Sequence, residues 1–199
     1  MRYTATADSD VGISKSTNQD SVLVKHASTD IGEVLMAIVC DGMGGVHGGQ
    51  LASNIAINMV SDKIKLCYTQ SMPVTSLENL LLSAITTANV TVFDRGIYDN
   101  SLKGMGTTIV ATIIKNSTAC IAHVGDSRAY KISEESIEQI TRAHSLVQEM
   151  LDKGQITKEE FEIRRRTEEL KRQFSVYKAK MEALLISQLE LLQDKENEE

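Results

Sequence analysis

Ala37-Ile38-Val39-Cys40-Asp41-Gly42-Met43-Gly44-Gly45 is the stretch whose reading decides the fold. Its apolar, partly β-branched beginning predicts a strand. The strand delivers a carboxylate directly into a glycine-rich turn. Glycines let backbone amides and carbonyls approach a small ligand without side-chain obstruction. The Asp41 carboxylate and the Gly42 carbonyl are hard oxygen donors, suited to Mg²⁺ or Mn²⁺ rather than to zinc. The same residues also suit an Asx-type turn that merely ends a strand, so the motif alone leaves both readings open.

Outward from it, β-type runs occur at Ser21–Lys25, Val34–Cys40, Thr107–Ile114, Thr118–Val124 and Arg128–Ile132. Gly, Asp, Asn and Ser bound them. Two helical stretches lie between. Gln50–Leu66 carries Ala52, Ile55, Ala56, Met59, Val60 and Ile64 at helical spacing, and Ser76–Tyr98 carries Leu77, Leu80, Leu81, Ala84, Ile85, Ala88 and Val92. Ser76 is the expected N-cap of the second helix. Two strands, two helices and three strands, with no crossover helices between successive strands, make an α+β order. A further helix is expected over His144–Leu151, ending near Gly154. Thr157 with Glu160 three residues later has the capping-box pattern of another helix start.

Two more carboxylates stand at element ends. Asp20 follows Asn18-Gln19 and precedes the first strand; alone it reads as a solvent-facing turn residue. Asp126, in Val124-Gly-Asp-Ser-Arg128, suits an ordinary hairpin turn. Gly104-Met-Gly-Thr-Thr108 reads either as a strand-opening turn or as a close backbone approach to a site.

Taken in order, Ser9-Asp-Val-Gly12…Asn18-Gln-Asp20, Asp41-Gly-Met-Gly-Gly45, Gly104-Met-Gly-Thr-Thr108, Val124-Gly-Asp-Ser-Arg128, His144-Ser-Leu and Gly154-Gln-Ile-Thr157 closely resemble the bacterial PPM-type (protein phosphatase 2C-like) Ser/Thr phosphatases. The resemblance covers roughly Arg2 to Glu160. It implies an αββα (helix/sheet/sheet/helix) sandwich with a two-metal centre at one end, acting on phosphoserine and phosphothreonine in phosphorylated proteins. By that resemblance Asp41 bridges two Mn²⁺ or Mg²⁺ ions, Gly42 ligates through its carbonyl, Asp20 holds metal-bound water, and Asp126 serves a further, weaker metal position. A metal-bound water would attack phosphorus in line, so no nucleophilic side chain is needed.

The sequence departs from the family pattern in three places. Lys15 stands where the family places a phosphate-contacting arginine, giving a point charge in place of a bidentate fork. The usual Asp-His-Ser reads Ala143-His144-Ser145. The later Ser-Asp-Gly and Asp-Asn motifs, each a source of a metal carboxylate, do not follow Thr157. The expectation is therefore an incomplete sandwich over 1–157, with impaired phosphatase activity, followed by a long C-terminal helix.

From Lys158 the composition changes: of 42 residues, nine are basic and eleven acidic, and Gly and Pro are absent. Leu170, Phe174, Tyr177, Met181 and Leu184 keep a 4-3-4-3 spacing that continues through Gln188 to Leu191, the seam of a coiled coil. Glu168 to Leu192 resembles the closing helix of DivIVA-like cell-division scaffold proteins. This divides the chain into a phosphatase part, 1–157, and a charged helical tail, 158–199, with homo-oligomerisation expected through 167–192. The alternative function is an inactive phosphatase-like binding module, or a cell-division scaffold, displayed on that helix.

A net charge of −6 argues against nucleic acid as a partner. Arg164-Arg-Arg166 is flanked by acidic residues and reads as a solvated helix face. No apolar run approaches the length of a membrane span. Cys40, Cys67 and Cys120 form no paired-ligand spacing, and the first and last sit in apolar runs as small buried thiols. A reducing cytoplasm is the expected location.

Overall fold

The computed structural model describes residues 2–13, 16–29, 32–44, 47–144, 150–151 and 153–196. By packing, the chain divides into two units, one of residues 1–10 and 17–144, the other of residues 11–16 and 145–199.

The first unit begins with a β-hairpin. β1 (Asp20–Thr29) and β2 (Gly32–Met43) run antiparallel in continuous register from Asp20↔Asp41 to Thr29↔Gly32. Two helices follow, α1 (Gly48–Cys67) and α2 (Val74–Tyr98). After a single 3₁₀ turn at Asn100–Leu102 come β3 (Gly106–Thr107), β4 (Ile109–Lys115) and β5 (Thr118–Val124). Strand order in the sheet is β1-β2-β4-β5, with β3 paired to the end of β2. A separate two-stranded ribbon joins β6 (Tyr130–Ile132) to β7 (Ile137–Gln139).

Period-2 alternation builds the core. In β4, Ile109, Ala111, Ile113 and Lys115 are buried while the residues between them are half-buried. Their face joins Met36, Ile38 and Cys40 of β2 and Cys120 of β5 in one apolar cluster with α1 and α2. All seven of the α2 residues that set its helical spacing are buried, as are Ala52, Ala56, Val60 and Ile64 of α1. Each large aliphatic in this layer contributes about 1.5–3 kcal/mol. Lys115 is buried without a nearby carboxylate in its hydrogen bonds; its ammonium donates to the carbonyls of Gln70 and Met72 instead, closing the α1–α2 connection.

Several local expectations need correction. α2 starts at Val74 with Pro73 as its N-cap, and Ser76 makes no side-chain cap. The Pro73 carbonyl accepts from the amides of Ser76 and Leu77, so the first turn closes upstream of the serine. The expected strand Thr107–Ile114 is broken at Thr108, whose backbone turns to bond Asp41. Ribbon strand β6 begins at Tyr130 rather than Arg128, and β7 was not foreseen. His144 is not helical; Met150 and Leu151 are, and residues 145–149 lie outside the described residues. Gly154 ends that turn with φ +67°, its amide donating to the Leu151 carbonyl.

In the second unit α3 runs from Lys158 to Glu196. The capping box forms as its spacing predicts: the Thr157 amide donates to Glu160 Oε2 at 2.8 Å, and the Glu160 amide to Thr157 Oγ1 at 3.2 Å. Among the described side chains of α3 the seam stays in solvent, with Leu170, Phe174, Tyr177, Met181 and Leu184 all 41–68% exposed. The side chains of Gln188 and Leu191 lie outside the described set.

Candidate metal centre

The site is built where β2 ends. Asp20 and Asp41 are direct partners in the β1–β2 ladder. Such partners have Cα atoms about 4.5–5.5 Å apart and side chains on one face of the sheet. Both carboxylates are exposed. Residues 21 positions apart in sequence thus become neighbours through hairpin register alone.

Each strand end is fixed by its own contacts. On the β1 side, Asn18 Oδ1 accepts from the Asp20 amide at 3.0 Å, an Asx turn that sets the entry to the strand. The Gln19 carbonyl accepts twice, from the Gly42 amide at 3.2 Å and from Ser53 Oγ at 2.7 Å. Ser53 is completely buried in α1 and also receives Ser21 Oγ at 2.9 Å, so one serine couples α1 to β1 beneath the pair.

On the β2 side Asp41 is clamped through its backbone. Its amide donates to Thr108 Oγ1 at 3.1 Å, and its carbonyl accepts from the Thr108 amide at 2.9 Å and from Thr107 Oγ1 at 3.0 Å. Thr108 Oγ1 also lies 2.6 Å from Ser127 Oγ. The Gly125 turn packs on the same threonine: a Cβ on Gly125, at φ +102°, would come within 2.7 Å of Thr108 Cγ2. Asp126 is exposed on that turn. The turn is held from behind by the His144 amide, which donates to the Gly125 carbonyl at 2.9 Å, and by stacked His123 and His144 rings 4.5 Å apart.

Glycine is required at two points of the turn. A Cβ on Gly42 would lie 2.1 Å from the Gly49 carbonyl oxygen and 2.5 Å from that of Gln19. Gly44 sits at φ +111°, and a Cβ there would meet the Gly104 carbonyl at 2.7 Å. Both readings of Gly104-Met-Gly-Thr-Thr108 have a counterpart here: strand β3 opens at Gly106, and the Gly104 backbone lies close against Gly44.

Of the sequence-expected residues, the structure brings Asp20, Asp41 and Gly42 together and sets Asp126 on the adjoining turn. Lys15 lies outside the described residues. The donor types, carboxylate and carbonyl oxygen, fit Mn²⁺ or Mg²⁺ and not a soft-metal site. Among the described residues no three His, Cys, Asp or Glu side chains converge to hold an ion. Sequence reasoning quoted Gln19, Thr107, Thr108 and Ser127 inside its motifs without giving them a role, and missed Ser53 altogether; none carries charge, and all act through hydrogen bonds made only after the sheet forms. The thiol of Cys40 is a core group; burial pushes its pKa up to about 12.

The family model for protein phosphatase 2C matches residues 13–187. Serine/threonine phosphatase stp of Listeria welshimeri is 37% identical over 144 residues, which is 69% of this chain and 57% of that protein. Among solved structures, the S. agalactiae serine/threonine phosphatase superposes with a TM-score of 0.63 at 32% identity, over 76% of this chain and 60% of that one. The catalytic domain of the serine/threonine protein phosphatase PstP, in complex with two manganese ions, gives a TM-score of 0.59 at 30% identity, over 77% and 61%. The chain therefore spans about three-fifths of the length of the relatives it matches. A hairpin that ends in paired aspartates, a glycine turn under two threonines and a matching family model agree: the chain belongs to the protein phosphatase 2C family.

Proposed function

We propose that the chain is a phosphatase part, over residues 1–157, of a metal-dependent protein serine/threonine phosphatase of bacterial type, acting on phosphoserine and phosphothreonine of phosphorylated proteins. The observation that carries this reading is the Asp20↔Asp41 register pair, with the Asp41 backbone clamped by Thr107 and Thr108. Asp41 would hold two Mn²⁺ or Mg²⁺ ions together with the Gly42 carbonyl, Asp20 would orient water beside them, and Asp126 would serve a further cation. When bound, such ions supply an acidified water and a positive field for the phosphoryl oxygens. What the protein contributes is placement. The Thr108 clamp fixes the strand end from which the Asp41 carboxylate projects, and the Asn18 turn fixes Asp20 opposite it. Lys15 would meet the phosphate as a point charge.

Two carboxylates and a carbonyl leave much of the repulsion between two divalent ions uncompensated. We therefore read turnover of this chain alone as low, because weak ion occupancy also misplaces the attacking water. A displacement near 1 Å costs about a hundredfold. The exposed apolar seam of α3 supports a second reading, in which the tail 158–199 is a coiled-coil, DivIVA-like element that displays a binding module and associates through 167–192. All three cysteines are free, which favours a reducing, cytoplasmic setting. No helix among the described residues is long and apolar enough to cross a membrane.

Calorimetric titration with Mn²⁺, on the unchanged chain and on Asp41→Asn, tests the site directly. Loss of at least tenfold in affinity supports it, and equal binding by both places the metal elsewhere. Mn²⁺-dependent kcat/KM on a phosphothreonine peptide tests the reading of low turnover. Rapid hydrolysis abolished by Asp41→Asn would keep the site and overturn the impairment.

A further inference from the structure

α3 distributes its charges unevenly about its apolar seam. The spacing puts Phe174 and Met181 at heptad position a, and Ile163, Leu170, Tyr177 and Leu184 at d. Between 164 and 180, the positions that flank this seam, e and g, hold Arg164, Arg166, Lys171, Gln173, Lys178 and Lys180. Five of these six are basic and none is acidic. The carboxylates of Glu162, Glu169 and Glu182 stand instead at b and c, on the far side of the helix. All six flanking side chains are exposed, as the seam residues are.

The flanking cations keep most of their charge available. Lys178 Nζ lies 3.7 Å from Glu182 Oε1, an ion pair with both side chains in solvent, and such pairs are weak. Arg164 Nη1 donates to Met150 Sδ at 3.8 Å, a contact that leaves its charge uncompensated. Among the described residues Arg166, Lys171 and Lys180 form no ion pair.

Resting on the coiled-coil reading of the tail, we propose that the seam of α3 pairs with an acidic helix of another protein. That partner has an apolar a/d seam of its own, with Glu or Asp at its e and g positions. Charges at e and g decide which helices pair, and charge complementarity excludes wrong partners more than it adds raw affinity. A second copy of this chain, laid parallel, sets Arg166 against Lys171 and gains only Glu159 opposite Arg164. Laid antiparallel along the same segment, e meets e and g meets g, so basic flanks meet basic flanks. An acidic partner gives an opposite charge to all five cations. The width of the seam selects a helix over a lipid surface. Between 163 and 181 it is two positions wide in seven, the width of a helix–helix contact, whereas a helix lying in a bilayer surface presents a broad apolar face.

The test titrates the full chain against two fluorescein-labelled heptad peptides, with fluorescence anisotropy as the readout. Both carry Ile at a and Leu at d; one has Glu and the other Lys at every e and g position. The Glu peptide should bind at least tenfold more tightly than the Lys peptide, and should lose affinity as salt is raised. Arg166→Glu combined with Lys171→Glu should weaken the Glu peptide at least tenfold and strengthen the Lys peptide. Both positions are exposed, so the helix content read by circular dichroism should not move. Equal binding of the two peptides overturns the acidic partner and keeps the coiled coil. So does a chain that sediments as its own oligomer and excludes the Glu peptide. A monomeric chain that binds neither peptide overturns the coiled-coil reading as well. Binding to phosphatidylglycerol vesicles without binding to the Glu peptide also overturns the proposal, and makes the seam a membrane-surface helix.

Discussion

α2 and α3 are both long helices with apolar residues at regular spacing, yet they end in opposite circumstances. Seven apolar residues of α2 are buried against α1 and the sheet. Along α3, among the described side chains, only Phe161 is even half-buried and the seam residues stand in water. α2 begins without a side-chain cap, while α3 has a complete capping box and two acidic residues in its first turn. Caps and propensity contribute tenths to about one kcal/mol each, whereas tertiary burial of an apolar face decides whether a helix persists. The packed helix dispenses with local signals, and the unpacked one depends on them.

The hardest test of this contrast is to add one methyl where the first unit has no room. Gly42→Ala would drive a Cβ into two backbone carbonyls, neither of which can move without shifting α1 or β1. We expect destabilisation of at least about 3 kcal/mol, the upper range for overpacking, together with loss of Mn²⁺ binding. Chemical denaturation followed by circular dichroism reads the first and calorimetry the second. A stable Gly42→Ala chain would mean that the glycine turn is looser than its contacts imply.

The same contrast predicts a split between two leucines. Leu81 is 1% exposed and Leu184 is 54% exposed. Leu81→Ala should cost about 2–5 kcal/mol of global stability, and Leu184→Ala no more than about 0.5 kcal/mol in the monomer. If Leu184→Ala instead costs several kcal/mol in a concentration-dependent way, α3 is buried in an assembly and the two helices are alike after all.

Thr157→Ala should act on a smaller scale and locally. It removes the acceptor for the Glu160 amide and costs about 1 kcal/mol of helix stability. The readout is faster hydrogen exchange in the first turns of α3, with the exchange of β2 and β4 amides unchanged. Coupled loss of protection in the sheet would show that the helix start supports the first unit.

These particulars explain what the sequence disclosed. The strand–aspartate–glycine run at 37–45 and the α2 spacing were legible because each is a local pattern that burial reinforces. Asp20 was ambiguous by itself, and only the hairpin register sets it opposite Asp41. The break at Thr108 was not legible, because threonine favours strands and nothing local reveals that its hydroxyl bonds the backbone of a residue 67 positions away. Ser76 misled for the converse reason: it is a good cap residue, but the Pro73 carbonyl three residues earlier had already begun the helix. The ribbon strand Ile137–Gln139 is too short for a periodic signal.

The smallest expected effect concerns pH and the tether of the N-terminal segment. The Tyr3 amide donates to Glu33 Oε2 at 2.8 Å, and His26 Nε2 lies 3.3 Å from the same oxygen. The amide bond is the main cause that holds the Glu33 carboxyl below its ordinary value; His26 assists, and partial burial opposes. A folded pKa below the unfolded one contributes stability that is complete above the ordinary glutamate value, near 4.3. That contribution is lost as pH falls through the lower, folded value. Glu33→Gln keeps an oxygen acceptor for Tyr3 but cannot titrate. The stability difference between the unchanged chain and Glu33→Gln should therefore be largest near neutral pH and shrink steadily as the solution is acidified below about pH 4. Salt should reduce the parts due to the charges of His26 and Arg2, and leave the short-ranged hydrogen bond from the amide. Denaturant titrations at a series of pH values measure this difference directly. A difference that stays flat from neutral to acid would show that Tyr3 does not hold Glu33, and that the first unit, like α3, leaves its leading segment untied.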